Sequence, residues 1–166
     1  MDQQKVVREI LRSVNEHAGS YRHLCRYRDT LIEQGMLPEA RSVLLRLILR
    51  VPPHEREVKS MLWSMLAGIA FRLELLDEAK NALDNAFGLD DKNDQAWEIK
   101  ALSLWKSGEL MDACGAMKIA LSHAMNAGAE RRAHLFRSYS EMLRLIGRED
   151  AARRYHRLAQ NIQPAP

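Results

Sequence analysis

Apolar residues recur along the chain at steps of three and four positions, the spacing that places them on one face of an α-helix. Glycines, prolines or short polar clusters separate the apolar segments, and these residues are typical of helix ends and turns. The breaks are Gly35, Pro52 with Pro53, residues 90–94, Gly108, Gly128 and Gly147. The pattern therefore predicts a series of short helices joined by short turns.

Four segments of the chain are alike, and each holds a turn, an acidic residue and an alanine followed by apolar residues. They begin at Gly35, Glu74, Gly108 and Gly147. Their aligned alanines are Ala40, Ala79, Ala113 and Ala152, at intervals of 39, 34 and 39 residues. A period near 34 residues is typical of stacked helix–turn–helix repeats. The additional residues of the two longer intervals fit around 55–59 and 128–132, between repeats.

The repeated segments resemble the tetratricopeptide repeat (TPR) family over about residues 21–164. In that family a large residue opens the first helix of each repeat, and small residues lie where helices cross, because small side chains let helices approach closely. The opening positions hold Leu24, Trp63, Trp97 and Phe136. The small positions hold Ala67, Ala101, Ala86, Ala120 and Ala159, and the closing prolines are Pro52 and Pro164. The departures are Arg28, Leu47, Asp91 and Met125, so the first repeat matches least well.

The resemblance implies an all-α protein, built as a right-handed superhelical stack of about nine helices in a single domain over 1–166. The predicted repeats are 21–54, 60–93, 94–127 and 133–166. A separate helix is predicted over 3–16, where the apolar face consists of Val7, Ile10, Leu11 and Val14. This helix either caps the first repeat, since terminal repeats need covering, or contacts a partner or a second copy in a homodimer.

Composition agrees with a soluble helical protein, since 46% of the residues are apolar and 28% are charged. The longest stretch without a charge, 60–71, is shorter than the ~20 residues that a membrane-spanning helix needs. The first ten residues lack the apolar run of a secretory signal. Cys25 and Cys114 lie far apart and form no disulfide framework, which favours a reducing compartment. We therefore predict a cytoplasmic protein.

No motif in the sequence predicts catalysis, a cofactor or a metal site. The chain has no zinc motif, no paired Cys-x-x-Cys and no glycine-rich phosphate loop. Cys25 and His23 are two positions apart, so on a helix they point to different sides. The histidines are scattered over different segments: His17, His23, His54, His123, His134 and His156. We therefore predict that the protein is not an enzyme.

Charge is distributed unevenly along the chain. Residues 74–98 hold eight acidic residues and two lysines, whereas residues 131–157 hold eight arginines and three acidic residues. These are either solvated helix faces or surfaces that steer partners and favour head-to-tail self-contact. The arginines also make nucleic-acid binding the alternative function. It is less favoured, because reading one base per repeat needs a matched residue in every repeat, and none is found.

The resemblance to the TPR family implies a concave groove, lined by the first helix of each repeat, that binds a protein or peptide. The predicted groove residues are Arg22, Asp29, Met61, Met65, Gln95, Glu98, Ile99, Leu102, Trp105, His134, Arg137 and Glu141. Some family members read C-terminal carboxylates with lysine and asparagine side chains, which are absent from the corresponding positions here. Those positions hold Cys25, Asp29, Met65, Gln95 and Ile99.

The middle of this groove is partly apolar, and Met61 and Met65 supply adaptable side chains. Such a surface suits an extended or helical peptide with apolar anchors. The other interpretation is that the apolar residues pack between repeats. Size and composition also resemble small bacterial secretion chaperones built on these repeats, which implies an adaptor or chaperone-like role.

Overall fold

Seven α-helices follow one another in the computed structural model, which describes residues 30–162. They are α1 (Leu37–Arg50), α2 (Arg56–Arg72), α3 (Leu76–Leu89), α4 (Asp94–Lys106), α5 (Leu110–His123), α6 (Ala129–Leu145) and α7 (Glu149–Asn161). Residues 30–33 are also helical, and a short 3₁₀ segment, Ala124–Asn126, follows α5. Strands are absent from 30–162, so the all-α prediction is confirmed there. The predicted helix 3–16 and the residues Arg22, Cys25, Asp29 and Pro164 lie outside the described residues.

The turns that open the four similar segments have the same backbone conformation. Their first residues all have positive φ: 73° at Gly35, 62° at Glu74, 83° at Gly108 and 77° at Gly147. At the third turn, the amide of Gly108 donates to the carbonyl of Trp105 at 3.1 Å, and the amide of Glu109 donates to that of Leu104 at 3.0 Å. The other three turns repeat this pair of hydrogen bonds, which ends a helix by satisfying its last carbonyls. The residues aligned by sequence are therefore equivalent in structure.

The predicted small positions are buried, as close helix packing requires. The aligned alanines Ala40, Ala79, Ala113 and Ala152 are all at most 4% exposed. Ala67, Ala101, Ala86, Ala120 and Ala159 are buried as well. A methyl group at these positions lets the neighbouring backbone come close, so alanine here is a packing requirement as well as a good helix former.

The helix contacts divide the chain into two compact units, with the boundary between Leu89 and Asp90. In the first unit, α2 packs against α3, and α1 packs against α2. Ser60 at the start of α2 is fully buried, and its hydroxyl donates to the carbonyl of Ala86 in α3 at 2.8 Å. An ion pair of 2.8 Å between Arg41 and Glu78 joins α1 to α3.

The second unit contains two helix pairs, α4 with α5 and α6 with α7, and α5 packs against α6. Met117 of α5 and Leu135 of α6 are fully buried in one apolar cluster. Tyr139 of α6 meets Tyr155 of α7 edge-on, with 4.7 Å between the ring centroids. The hydroxyl of Ser140 donates to the carbonyl of Ala152 at 2.8 Å, which closes the α6–α7 pair.

Helix length explains the two long intervals between repeats. α2 and α6 each have 17 residues, whereas α4 has 13. α2 begins at Arg56 and α6 at Ala129, within the two ranges where the sequence predicts additional residues. Both helices start before the predicted repeat boundaries at 60 and 133, and those boundaries stay a prediction.

Candidate peptide-binding face

Within residues 30–162, the predicted groove residues lie on α2, α4 and α6, the first helix of each pair. α2 carries Met61 and Met65, one turn apart, in the first unit. In the second unit, α4 carries Gln95, Glu98, Ile99, Leu102 and Trp105, and α6 carries His134, Arg137 and Glu141. Steps of three and four positions place most members of each set on one side of their helix. α4 and α6 both belong to the second unit.

Ion pairs join α4 to α6 in the second unit. Arg131 donates to Asp94 Oδ2 at 2.8 Å through Nε and to Glu98 Oε2 at 2.5 Å through Nη1. The other oxygen of Glu98 lies 2.7 Å from Nε2 of His134. These contacts hold the two helices side by side, so the predicted residues of α4 and those of α6 belong to one continuous face.

Glu98 is the central group of this arrangement and is only 8% exposed. Burial by itself raises the pKa of its carboxyl, but the hydrogen bond from His134 and the charge and hydrogen bond of Arg131 together lower that pKa below its usual value. Burial lowers the pKa of Arg131, but the charges and hydrogen bonds of Glu98 and Asp94 together more than offset this, so the pKa of Arg131 is raised. Glu98 is therefore ionised at neutral pH although it is buried. Its contacts with Arg131 and His134 hold α4 against α6.

Exposure separates the remaining residues of this face into two kinds. Ile99 is 7% exposed and belongs to the interior, whereas Leu102 is 37% exposed. Trp105 is half-buried and packs partly against the apolar cluster of the unit. On α6, Arg137 and Glu141 are exposed. The surface therefore consists of an apolar patch on α4 beside polar and charged side chains on α6.

In the first unit, the predicted groove residues within the described part of the chain are two methionines of α2. Met61 is 36% exposed and Met65 is half-buried. Ser64 between them is fully buried, and its hydroxyl donates to the carbonyl of Met61 at 2.8 Å. This hydrogen bond within α2 satisfies the buried hydroxyl of Ser64, while Met61 and Met65 are the more exposed side chains at this point of α2.

The partnership of Arg131 with the acidic residues of α4 is absent from the sequence-based prediction, which assigns Arg131 to the arginine cluster. Three of the eight arginines of that cluster, Arg131, Arg144 and Arg153, pair with carboxylates within the described residues. The spacing of charged residues in the sequence does indicate this pairing. Arg131 and Asp94 are 37 positions apart, as are Arg41 and Glu78, which is close to one repeat.

The described residues hold no group of three or more side chains suited to a metal ion, and no helix among them is long and apolar enough to cross a bilayer. Cys114 is 6% exposed, and burial raises the pKa of its thiol, with a smaller opposing effect from the charge of Arg148. Its thiol is therefore protonated at neutral pH, and a protonated thiol is a poor nucleophile.

No protein-family profile and no curated protein matches the sequence. Solved structures do match the fold. MamA gives a TM-score of 0.62 at 17% identity, over 93% of this chain and 84% of MamA. The pilF protein of Pseudomonas aeruginosa gives 0.60 at 18% identity, over 96% of this chain and 68% of pilF. YrrB, a TPR protein with an unusual peptide-binding site, gives 0.58 at 14% identity, over 96% of this chain and 77% of YrrB. The chain has the fold of TPR proteins, as its sequence predicts.

Proposed function

We propose that this chain binds a segment of a partner protein along the first helices of its repeats, as an adaptor or a chaperone-like module. The observation that carries this proposal is the α4–α6 face of the second unit. There, Leu102 and Trp105 present an apolar surface beside Arg137, on two helices that Glu98 holds together.

A face of this kind is suited to binding because its geometry is set before the partner arrives. The ion pairs from Arg131 and His134 to Glu98 fix α4 against α6, so a ligand need not order these helices. Leu102 and Trp105 are three positions apart and lie on the same side of α4. An apolar side chain of the partner would contact them, while Arg137 and Glu141 at the margin would select its polar neighbours.

The fold supports the same proposal. YrrB shares the fold and is a TPR protein with a peptide-binding site. In a stack of helix pairs the buried residues hold the pairs together, so the exposed residues of each first helix are available for contact with a partner. We therefore expect a protein or peptide ligand, bound without a cofactor, and no catalysed reaction.

The experiment compares two leucines that are equally exposed. Leu102 on α4 is 37% exposed and Leu158 on α7 is 39% exposed. Wild type, Leu102→Glu and Leu158→Glu are immobilised and used to capture proteins from a nuclease-treated extract of the native cells, with the bound proteins identified by mass spectrometry. Tryptic segments of the captured protein are then synthesised and their affinities measured.

We expect the bound segment to lose about tenfold or more in affinity with Leu102→Glu, since a charge replaces an apolar contact. Affinity for Leu158→Glu should equal that of wild type, and moderate salt should leave binding intact. Equal affinities of wild type and Leu102→Glu would refute the proposal. If the nuclease treatment is omitted and nucleic acid is captured, with binding that falls steeply as the salt concentration rises, the alternative function of nucleic-acid binding would be favoured.

A further inference from the structure

The outward side of α5 carries exposed apolar side chains. Met111 is 60% exposed and Ile119 is 36% exposed. Gly115 lies midway between them in the sequence and is also exposed. Steps of four positions place the three residues on one side of the helix. The other side of α5 packs against α4 and α6, so this helix is apolar on both sides.

The equivalent positions of the neighbouring repeats are mostly polar. In the repeat alignment they lie 34 residues earlier, in α3, and 39 residues later, in α7. The exposed α3 residues at these positions are Asp77, Asn81 and Asn85. The α7 residues are Asp150, Arg154 and Leu158. A helix that is apolar around most of its surface is typically covered on all sides, so the outward side of α5 is suited to contact with another helix.

The charges of α5 are placed symmetrically about Gly115. Asp112 lies three positions before this glycine and Lys118 three positions after it, and α5 has no other aspartate, glutamate, lysine or arginine. Both side chains are exposed, and neither forms an ion pair with a residue in 30–162. Three positions correspond to about 4.5 Å along a helix axis, so the two charges are equally far from the level of Gly115. Met111 and Ile119 are symmetric about the same point, four positions to either side.

We propose that α5 pairs with α5 of a second copy of this chain, in an antiparallel arrangement with a two-fold axis at Gly115. Such an axis places each residue level with the partner residue that is equally far from Gly115 on its other side. Asp112 is then level with Lys118 of the partner subunit, and Met111 is level with Ile119 of the partner subunit. In a parallel pair each charge would lie beside its own copy, and like charges would repel. The sequence of α5 therefore complements itself in the antiparallel orientation alone.

Gly115 allows close approach at the centre of this pair. A Cβ at this position meets no atom within 4 Å, so the space beside the backbone is open. Packed helices lie about 8–10 Å apart, depending on the side chains at the contact, and glycine permits the shorter distance. At that distance Met111 and Ile119 reach the facing helix, and the charged side chains of Asp112 and Lys118 lie at the margins.

The length of α5 limits the strength of the pair. α5 has 14 residues and is therefore about 21 Å long, so the interface is at the small end of the range for specific contacts. We expect a dissociation constant of about 10–100 µM. The protein is then monomeric at the low micromolar concentrations used for unfolding experiments.

The experiment exchanges the two charges and measures self-association of the full chain by sedimentation equilibrium. The single variants are Asp112→Lys and Lys118→Asp, and a combined variant carries both substitutions. The matched controls make the same substitutions at exposed positions of α3, as Asp84→Lys and Lys80→Asp. Leu102→Glu is included because it alters the peptide-binding face alone.

We expect wild type to dimerise, and each single variant to dimerise at least about tenfold more weakly, because like charges then face each other twice. The combined variant should regain the dissociation constant of wild type. An equimolar mixture of the two single variants should form a heterodimer of similar strength, since one chain then presents two lysines and the other two aspartates. The α3 controls and Leu102→Glu should dimerise as wild type does.

Three results would overturn the proposal. The first is a wild type that stays monomeric at concentrations about tenfold above the expected dissociation constant. The second is a dimer that the single variants leave unchanged. The third is a pair of single variants that stay monomeric when mixed. Because the mixture restores the charge pairs, it distinguishes a lost contact from a variant that has not folded.

Discussion

Arg131 of α6 reaches back to Glu98 of α4, with Nη1 of the arginine 2.5 Å from Oε2 of the glutamate. Asp94 accepts a second hydrogen bond from the same guanidinium at 2.8 Å. In the first unit, Arg41 and Glu78 form a comparable bond of 2.8 Å between α1 and α3. A charge pair separated by about one repeat therefore recurs as a link between helices that are not neighbours in sequence.

Replacing Glu98 with glutamine should destabilise the protein more than its small change in size suggests. The substitution leaves the guanidinium of Arg131 partly buried with one carboxylate in place of two. We expect the free energy of unfolding to fall by about 2 kcal/mol, as measured by urea denaturation. The control is Glu141→Gln, whose exposed pair with Arg144 lies within one helix and should contribute less than about 0.5 kcal/mol.

The same carboxylate predicts a dependence of stability on pH. The pKa of Glu98 is lowered in the folded protein below its usual 4.5, so the unfolded chain takes up a proton at a higher pH than the folded one. The stabilisation is therefore complete above about pH 4.5 and is lost as the pH falls through the lowered pKa. The free energies of unfolding of wild type and Glu98→Gln should therefore become similar only below about pH 4.5. If the difference in the free energy of unfolding between wild type and Glu98→Gln stays constant down to acidic pH, this prediction is wrong.

Glu74 is expected to be a suboptimal residue at its turn. It has a φ of 62°, in the left-handed region where the three equivalent turns have glycine. Glu74→Gly should raise the free energy of unfolding, and Gly108→Ala should lower it, each by about 1 kcal/mol. A Cβ at Gly108 meets no atom within 4 Å, so the loss measures backbone strain alone.

The control for these turn substitutions is Gly115→Ala in α5. This glycine is exposed, and a Cβ there also meets no atom within 4 Å. In a helix interior, alanine is favoured over glycine by about 0.5–1 kcal/mol, so this variant should be more stable. Thermal unfolding of Gly108→Ala and Gly115→Ala should thus shift in opposite directions. If both variants shift the unfolding temperature in the same direction, the proposed backbone strain of a non-glycine residue at position 108 is wrong.

Enlarging Ala113 should disturb the packing of α5. Ala113 is fully buried at the aligned small position, where a larger side chain must displace its neighbours. We expect Ala113→Leu to lower the free energy of unfolding by about 2 kcal/mol in urea denaturation. Lys118→Leu on the same helix is exposed and should have little effect. An Ala113→Leu protein as stable as wild type would argue against close helix approach at this position.

Asn93 should stabilise the start of α4. Its side-chain oxygen accepts a hydrogen bond of 3.1 Å from the amide of Ala96, and the residue is 9% exposed. We expect Asn93→Ala to lower the free energy of unfolding by about 1 kcal/mol, because that amide loses its partner. Asn85→Ala, at an exposed site in α3, should be near neutral when measured in the same way.

The parts of the fold that depend on local chemistry can be predicted from the sequence. Gly35, Gly108 and Gly147 indicate turns because glycine adopts positive φ without a steric cost, and the structure has positive φ at each. Ala79 and Ala113 indicate close packing because few other residues are both small and helix-forming. These signals act within a few residues, so they are visible without knowledge of the neighbouring helices.

The candidate sites could be predicted only in outline, because exposure depends on which helix packs alongside. Ile99 and Leu102 are both apolar and three positions apart on α4, yet one is buried and the other exposed. The separation of 37 positions between Arg131 and Asp94, close to one repeat, is the sequence feature that predicts their contact between α4 and α6.

The hydrogen bonds that close each of the four turns join residues no more than five positions apart, as from Glu109 to Leu104. The residues that form the turn of each hairpin therefore lie within that hairpin. Duplication or loss of the gene segment that encodes one hairpin would add or remove a complete helix pair, and no new turn sequence would be needed. Only the charged and apolar residues at the junctions between hairpins would then have to adapt, as the Arg131–Glu98 and Arg41–Glu78 pairs illustrate.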